Sequence, residues 1–350
     1  MMSNIIYDID PDCAPVTCHI TGGLGNQLFQ IFTTIAFAMQ NKRTYQFGNF
    51  PTPVNRPTYW HTFFKSILPT IITSQDYDAK YNNNQMVAHI RRPDHHYIHL
   101  PDASSIPRDH PIYLHGYFQS YHYFQKEFAL IAQILNISHN RSLTVQKINQ
   151  QIPHIFKNDT QCWTCSMHFR IGDYVHATYA HTILQLPYYI HALDSVLRAK
   201  FPDNNNIIDS TKYRVRILYF GENENRDFIY SERIQPLQKH FESDVYSKYV
   251  IEWVEMPNSY NVNKTRNNDS ESKPIYMDIE PWEHMCVMSY CDAHILANST
   301  FSLWAAYLNT FLRTDPSTYP VVCYPKQWFG PIHKQWNISD MFLPEWIFIS

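Results

Sequence analysis

"VTCHITGGLGNQLFQIFTTIAFAMQ", Val16 to Gln40, runs from a β-type stretch through three glycines into apolar residues at helical spacing. Val16 to Ile20 predicts a strand, and Leu28, Ile31, Phe32, Ile35 and Met39 mark one face of a helix that starts at Leu24. Gly22, Gly23 and Gly25 between them permit positive φ and close backbone approach, and the helix start behind them offers free N–H groups to an anion. The dinucleotide fingerprint is nevertheless absent. It would need a glycine where Leu28 stands and an acidic residue about twenty positions on, and Phe47 to Phe50 supplies none. A P-loop would end in Lys-Ser/Thr, which is also missing. Residue chemistry alone therefore favours a structural turn. Functional interest falls on Asn26 and Gln27, amides in the first helical turn that can hydrogen-bond a substrate.

Strand and helix signals alternate along the rest of the chain. Thr44 to Gly48 reads as a second strand, and Pro51, Pro53 and Pro57 mark a loop. Pro111 to Phe118 reads as a strand, followed by helical periodicity in "YFQKEFALIAQILNI". Further strands are expected at Thr164–Phe169, Val215–Phe220, Tyr249–Val254, His294–Ala297 and within "YPVVCYP". Helices are expected over "LPYYIHALDSVLRAKF", near Arg226–His240, near Glu283–Tyr290 and over "FSLWAAYLNTFLR". This alternation implies parallel sheets with crossover helices. Two such runs predict an α/β protein of two Rossmann-like domains, residues 1–158 and 159–350. Glu255 to Pro274 is polar and poor in apolar anchors, the pattern of a mobile loop.

Composition limits the function classes. With 350 residues, 44% of them hydrophobic, the chain can bury more than one core. Lys and Arg number 28 against 31 Asp and Glu, so no net field gathers nucleic acid or an anionic membrane. No run approaches the ~18 apolar residues of a membrane span, and "MMSNIIYDIDPDCAPV" lacks the basic and apolar regions of a signal peptide. A soluble, cytoplasmic chain is the expectation. Seven cysteines, an odd number over a large chain, predict reduced thiols rather than a disulfide framework. Cys162 and Cys165 form a lone CxxC with no second pair to complete a zinc site.

Two more strand ends carry chemistry. In "HFRIGDYV", His168 to Val175, an Arg fork at Arg170 matches two phosphate oxygens, and Gly172 allows a sharp turn. An Arg170–Asp173 salt bridge closing the loop is an equally good reading. In "ANSTFSLW", Ala297 to Trp304, the residues Asn298, Ser299 and Thr300 are ordinary helix caps, and the same groups would cradle a diphosphate.

Taken in series, "GGLGNQLFQ", "GYFQSYHYF" (Gly116–Phe124), "HFRIGDYV", "VMSYCDAHILANSTFSLWAAYLN" (Val287–Asn309) and "PKQWFG" (Pro325–Gly330) resemble glycosyltransferase family 11, the alpha-1,2-fucosyltransferases. The motifs span nearly the whole chain. The resemblance implies a GT-B fold, two Rossmann-like domains facing across a cleft, with GDP-fucose held by the second domain and an acceptor glycan by the first. It also implies metal-independent inversion, without a cofactor, in which protein groups meet the charge of the departing GDP. Expected catalytic residues are Arg170, His168, Asp173 and Asn26. GDP-sugar binding is expected at Gly23, Gly25, Asn26, Gln27, His168, Arg170, Glu283, Asn298, Ser299, Thr300 and Phe301. Departures from the family pattern are Ile171 in place of a second arginine and His284 in place of an aspartate, which leaves guanine recognition to neighbouring Glu283. Leu303 and Tyr307 replace tryptophans. The lack of an anchor points to a bacterial or viral enzyme. A different GDP-sugar, or a non-catalytic carbohydrate- or nucleotide-binding module, is the alternative reading.

Overall fold

Helix α1 (Leu24–Gln40) forms where its periodicity places it, behind strand β1 (Val16–Cys18). Every residue of α1 from Leu24 to Met39 except Asn26 is buried, so the helix is a core element on all sides, and Leu28, Phe29, Phe32 and Ile35 are wholly sequestered. Each such side chain contributes about 1.5–3 kcal/mol relative to exposure. Lys42 ends the helix in the left-handed region, with φ 55°.

The structure, a computed structural model, describes residues 8–52, 56–92, 96–152, 155–156, 162–202, 212–261 and 276–350. It divides into two units: Met1–Ser138 with Trp336–Leu343, and His139–Gln335 with Pro344–Ser350. The division expected at residue 158 differs from this. Helix α4, named below, falls almost wholly in the second unit, and a short C-terminal stretch returns to the first, which no local pattern announces.

In the first unit follow β2 (Phe47–Asn49), β3 (Ile71–Thr73), α2 (Ser74–Tyr77), β4 (Ala88–Arg91), β5 (Ile112–His115), α3 (Phe128–Ile134) and the start of α4 (Ile137–Gln151). Strands run in the order β1-β5-β4, all parallel, with β2 and β3 as a separate parallel pair. Asn136, at φ 55°, separates α3 from α4, so the helix expected over Tyr123–Ile137 is confined to Phe128–Ile134, and α4, which begins where that stretch ends, was not expected. Asparagine tolerates that conformation better than other non-glycine residues.

The second unit contains β6 (Cys162–His168), α5 (Leu186–Lys200), β7 (Tyr213–Phe220), α6 (Arg226–Ile229), α7 (Gln235–Phe241), β8 (Tyr249–Glu255), β9 (Ser259–Asn261), β10 (Tyr276–Asp278), α8 (Pro281–Met288), β11 (Ala293–Ile295), α9 (Thr300–Phe311), β12 (Val321–Pro325) and β13 (Ile347–Ile349). Its main sheet has six parallel strands in the order β13-β12-β11-β6-β7-β8. The chain starts in the middle at β6, winds outward through β7 and β8, then restarts on the other side at β11. This is the doubly wound order, with its reversal between β6 and β11. Strand β6 is buried along both faces from Trp163 to His168, as a covered parallel strand must be. Cys162 and Cys165 both lie within this strand.

The α/β class and the parallel sheets are thus borne out. The loop expected over Glu255–Pro274 is partly strand, since β9 pairs antiparallel with β10, and its remainder lies outside the described residues. No described helix is long and apolar enough to cross a membrane.

Candidate functional site

In an open α/β sheet, ligands bind beyond the carboxyl ends of the strands where the winding reverses. In the second unit that place is occupied by the two motifs singled out above. Phe169 to Asp173 leave β6, and Leu296 to Thr300 leave β11, the neighbouring strand.

His168 closes β6 with its ring 5.5 Å from that of Phe301, on α9. It is buried, and its Nδ1 has no hydrogen-bond partner. Burial, with smaller contributions from Arg170 and His284, lowers its pKa to about 3, so the ring is neutral near pH 7. A neutral imidazole here is a hydrogen-bonding group, not a cation. His294 on β11, buried between Ser166 and Asn309, is likewise lowered to about 3, by burial first and then by Arg313 and Arg141. Both folded values lie below the ordinary 6.5. The unfolded chain therefore binds more protons between these limits, and stability is whole above pH 6.5 and declines as pH falls toward 3, by up to about 1.4 kcal/mol per pH unit for each group. Urea unfolding at pH 7 and at pH 5 is expected to give a lower midpoint at pH 5; equal midpoints would contradict the burial of the two neutral rings.

Arg170 bridges two carboxylates: Nη1 donates to Glu222 Oε1 and Nη2 to Asp173 Oδ1. Its guanidinium also lies over the Tyr174 ring, 4.9 Å from the centroid. The salt bridge considered from sequence is present, and a second acid joins it. Gly172 makes room for this arrangement, because a Cβ there would sit 2.8 Å from Glu222 Oε1. Tyr174 in turn donates from its hydroxyl to the carbonyl of Asn298, 3.1 Å, tying the β6 loop to the β11 loop.

Glu222 was not anticipated. It follows β7, the strand next to β6, two residues past the strand end in "FGENEN". An acid behind a strand-end glycine is the signal that could have found it. Its Oε2 is buried without a partner. Beside it, an open pocket with ≈ 260 Å³ of empty volume is lined by Gly221, Glu222, Asn223, Arg226, Glu255 and Asn258, among others.

Other expected site residues are already committed to the fold. Asn298 is buried, and its Nδ2 staples two loops by donating to the carbonyls of Thr182 (2.7 Å) and Trp328 (3.0 Å), while its Oδ1 is buried without a partner. Ser299 is the N-cap of α9, its hydroxyl accepting from the Phe301 N–H at 3.3 Å. Thr300 opens the same helix. Glu283 is buried in a capping box with Glu280 and bonded by Lys147 Nζ at 2.6 Å, which leaves it a structural acid rather than a base-recognising one. His284 meets the Pro257 carbonyl at 3.0 Å, and burial lowers its pKa.

In the first unit, the glycine loop is held by amides. Gln27, buried, donates from Nε2 to the carbonyls of Gly22 (3.0 Å) and Pro57 (2.9 Å), and Gln30 accepts from the Thr21 N–H at 2.9 Å. Gln27 is therefore a loop staple, against the expectation that it faces a substrate. Asn26 is half-buried and accepts from Gln119 Nε2 at 2.9 Å, which joins the "GGLGNQ" and "GYFQ" motifs. Among the three glycines only Gly22, with φ +83°, requires glycine by conformation. Gly23 is the N-cap at φ −73°, and Gly25 is buried within α1.

Residues 245–350 match the model of Glycosyl transferase family 11. Among curated proteins, the O-antigen biosynthesis glycosyltransferase WbnK of Escherichia coli is 27% identical over 187 residues, which are 53% of this chain and 44% of WbnK. The chain thus matches less than half the length of that relative. Together these matches support glycosyl transferase family 11, and the resemblance drawn from the motifs is borne out. Solved structures that resemble the fold include a FUT1 mutant from Arabidopsis thaliana in complex with GDP (TM-score 0.47, 12% identity, covering 87% of this chain and 71% of that one). Another is POFUT1 in complex with GDP-fucose (0.40, 11%, 90% and 98%), and a third is the fucosyltransferase NodZ from Bradyrhizobium (0.34, 9%, 84% and 93%). All three scores are too low to place a residue.

Proposed function

We propose that this chain, supported as a member of glycosyl transferase family 11 by its residues 245–350, transfers a sugar from a nucleotide-diphosphate donor to a hydroxyl of an acceptor glycan. The observation that carries the reading is the Arg170 guanidinium on the loop that leaves β6 at the strand-order reversal, held between Asp173 of that loop and Glu222 behind β7, with Gly172 shaped around it. The finer reading, taken from the motif resemblance, is GDP-fucose as donor, an alpha-1,2 linkage to a galactose-like residue, inversion at the anomeric carbon, and no metal. The role of WbnK in O-antigen biosynthesis agrees with a glycan acceptor.

In this mechanism the donor's diphosphate takes over Arg170 N–H groups now given to Glu222 and Asp173. Fixed donors aimed at a departing phosphate stabilise charge where it develops. Backbone N–H groups at the start of α9 add to them. His168, neutral, hydrogen-bonds without adding charge. Asp173, the more exposed of the two carboxylates, is released by the exchange and takes the proton of the attacking hydroxyl.

Calorimetric titration with GDP, GDP-fucose, GDP-mannose, UDP and NAD, followed by a transfer assay with and without EDTA, tests these points. GDP and GDP-fucose are expected to bind, UDP and NAD not, and turnover to survive chelation. If no guanine nucleotide binds, the donor assignment fails. Binding without turnover on any glycan tried would favour the second reading, a sugar- or nucleotide-binding module, for which the doubly paired Arg170 is the supporting observation.

A further inference from the structure

The carboxyl edge of the first unit's sheet holds a polar row that the donor chemistry does not use. Strands β4 and β5 pair in parallel with His89 opposite Tyr113 and Arg91 opposite His115. Side chains alternate along a strand, so these four share one face, while Ile90 and Leu114 between them are buried on the other. On the far side of β5, Cys18 of β1 pairs with Leu114, and His19 follows it directly, in line with His115. The outermost row is therefore His19, His115, Arg91.

The row behind it is a ring platform. His115 lies flat on Tyr113, with centroids 4.0 Å apart and planes 16° apart, and His89 meets His115 through Nδ1 and Nε2 at 2.7 Å. Tyr113 is fixed from below by Tyr77 and Tyr81. Burial, then Arg91 and His89, lower the His115 pKa to about 4; burial lowers His19 too, against the opposing pull of Asp78. Both rings are neutral near pH 7 and offer hydrogen bonds to hydroxyls. Arg91 supplies the charge, and among the described residues no ion pair is found for it; it is exposed. A flat ring stack, neutral imidazoles and one guanidinium fork together match a pyranose that carries a carboxylate.

We propose that this edge binds a carboxylate-bearing sugar, read by Arg91 with His115 and His19 on its hydroxyls, as the acceptor of the transfer. Only the word acceptor rests on the transferase reading.

Binding to the full chain, followed by saturation-transfer NMR and calorimetry, compares methyl galacturonoside, methyl galactoside and acetate, with GDP titrated separately. The expected result is that the galacturonoside binds at least about tenfold more tightly than either of the others. Arg91→Gln should remove that preference while leaving GDP binding and the melting temperature unchanged, and His115→Asn should weaken both sugars alike. Equal affinity for the two galactosides overturns the proposal, acetate binding as tightly as the acid sugar shows a simple anion site and overturns it, and so does an unchanged preference in Arg91→Gln. Failure of GDP to bind would sink the GDP-donor assignment and leave the sugar result standing on its own.

Discussion

Replacing Arg170 by alanine is expected to lower glycosyl transfer by about 10²- to 10³-fold, the usual loss when one fixed donor to a developing oxyanion is removed. The guanidinium is the cation that the β6 loop brings to the reversal point, and two carboxylates, Asp173 of that loop and Glu222 behind β7, hold it in place before any ligand arrives. Arg170→Lys keeps the charge and loses the fork, so it should recover only part of the rate. Transfer assays, with melting temperatures to confirm folding, decide the matter. Full activity in a folded Arg170→Ala protein would remove Arg170 from the mechanism.

The second large effect concerns stability. Asn298→Ala strips the buried carbonyl of Trp328 and the half-buried carbonyl of Thr182 of their donor. Leaving a buried acceptor unsatisfied costs about 1–3 kcal/mol, so a loss of that order is expected, or roughly 3–9 °C in Tm for a unit of this size. Scanning calorimetry reads it. Because the Tyr174 hydroxyl rests on the Asn298 carbonyl, which alanine retains, that link should survive and the fall in Tm should exceed any change in donor affinity. An unchanged Tm would show that the two loops are held by other means.

Much of this was legible in the residues. Long apolar periodicity fixed α1, α5 and α9 because burial on one or all sides leaves a repeating trace. Strand ends expected at Phe169 and Ala297 fall within two residues of the actual ends, His168 and Ile295, because polar, small and glycine residues interrupt an apolar run. What escaped was non-local. The polar helix Ile137–Gln151 buries few apolar residues, Ile137 and Ile148 among them, and so leaves little periodicity. The strands β3, β4 and β13 were not anticipated, although β1, β2 and β11 are no longer than they are. Asn298, Glu283 and Gln27 had the right chemistry for a ligand, and only the structure shows the Asn298 Nδ2, the Gln27 Nε2 and the Glu283 carboxylate bonded to the chain itself. Glu222 became visible only once β7 was placed beside β6.

The return of residues Trp336–Leu343 to the first unit has a practical meaning for anyone cutting or recombining this protein. Asp340 accepts a hydrogen bond from the Tyr97 N–H at 3.0 Å, and Met341 is fully buried. A fragment ending near residue 138 would lack a piece of its own interior, and the second unit's last strand, β13, comes only after the chain has made that detour. The chain passes between the two units three times, so neither is an interchangeable cassette, and swaps between relatives would have to exchange the C-terminal stretch along with the N-terminal unit.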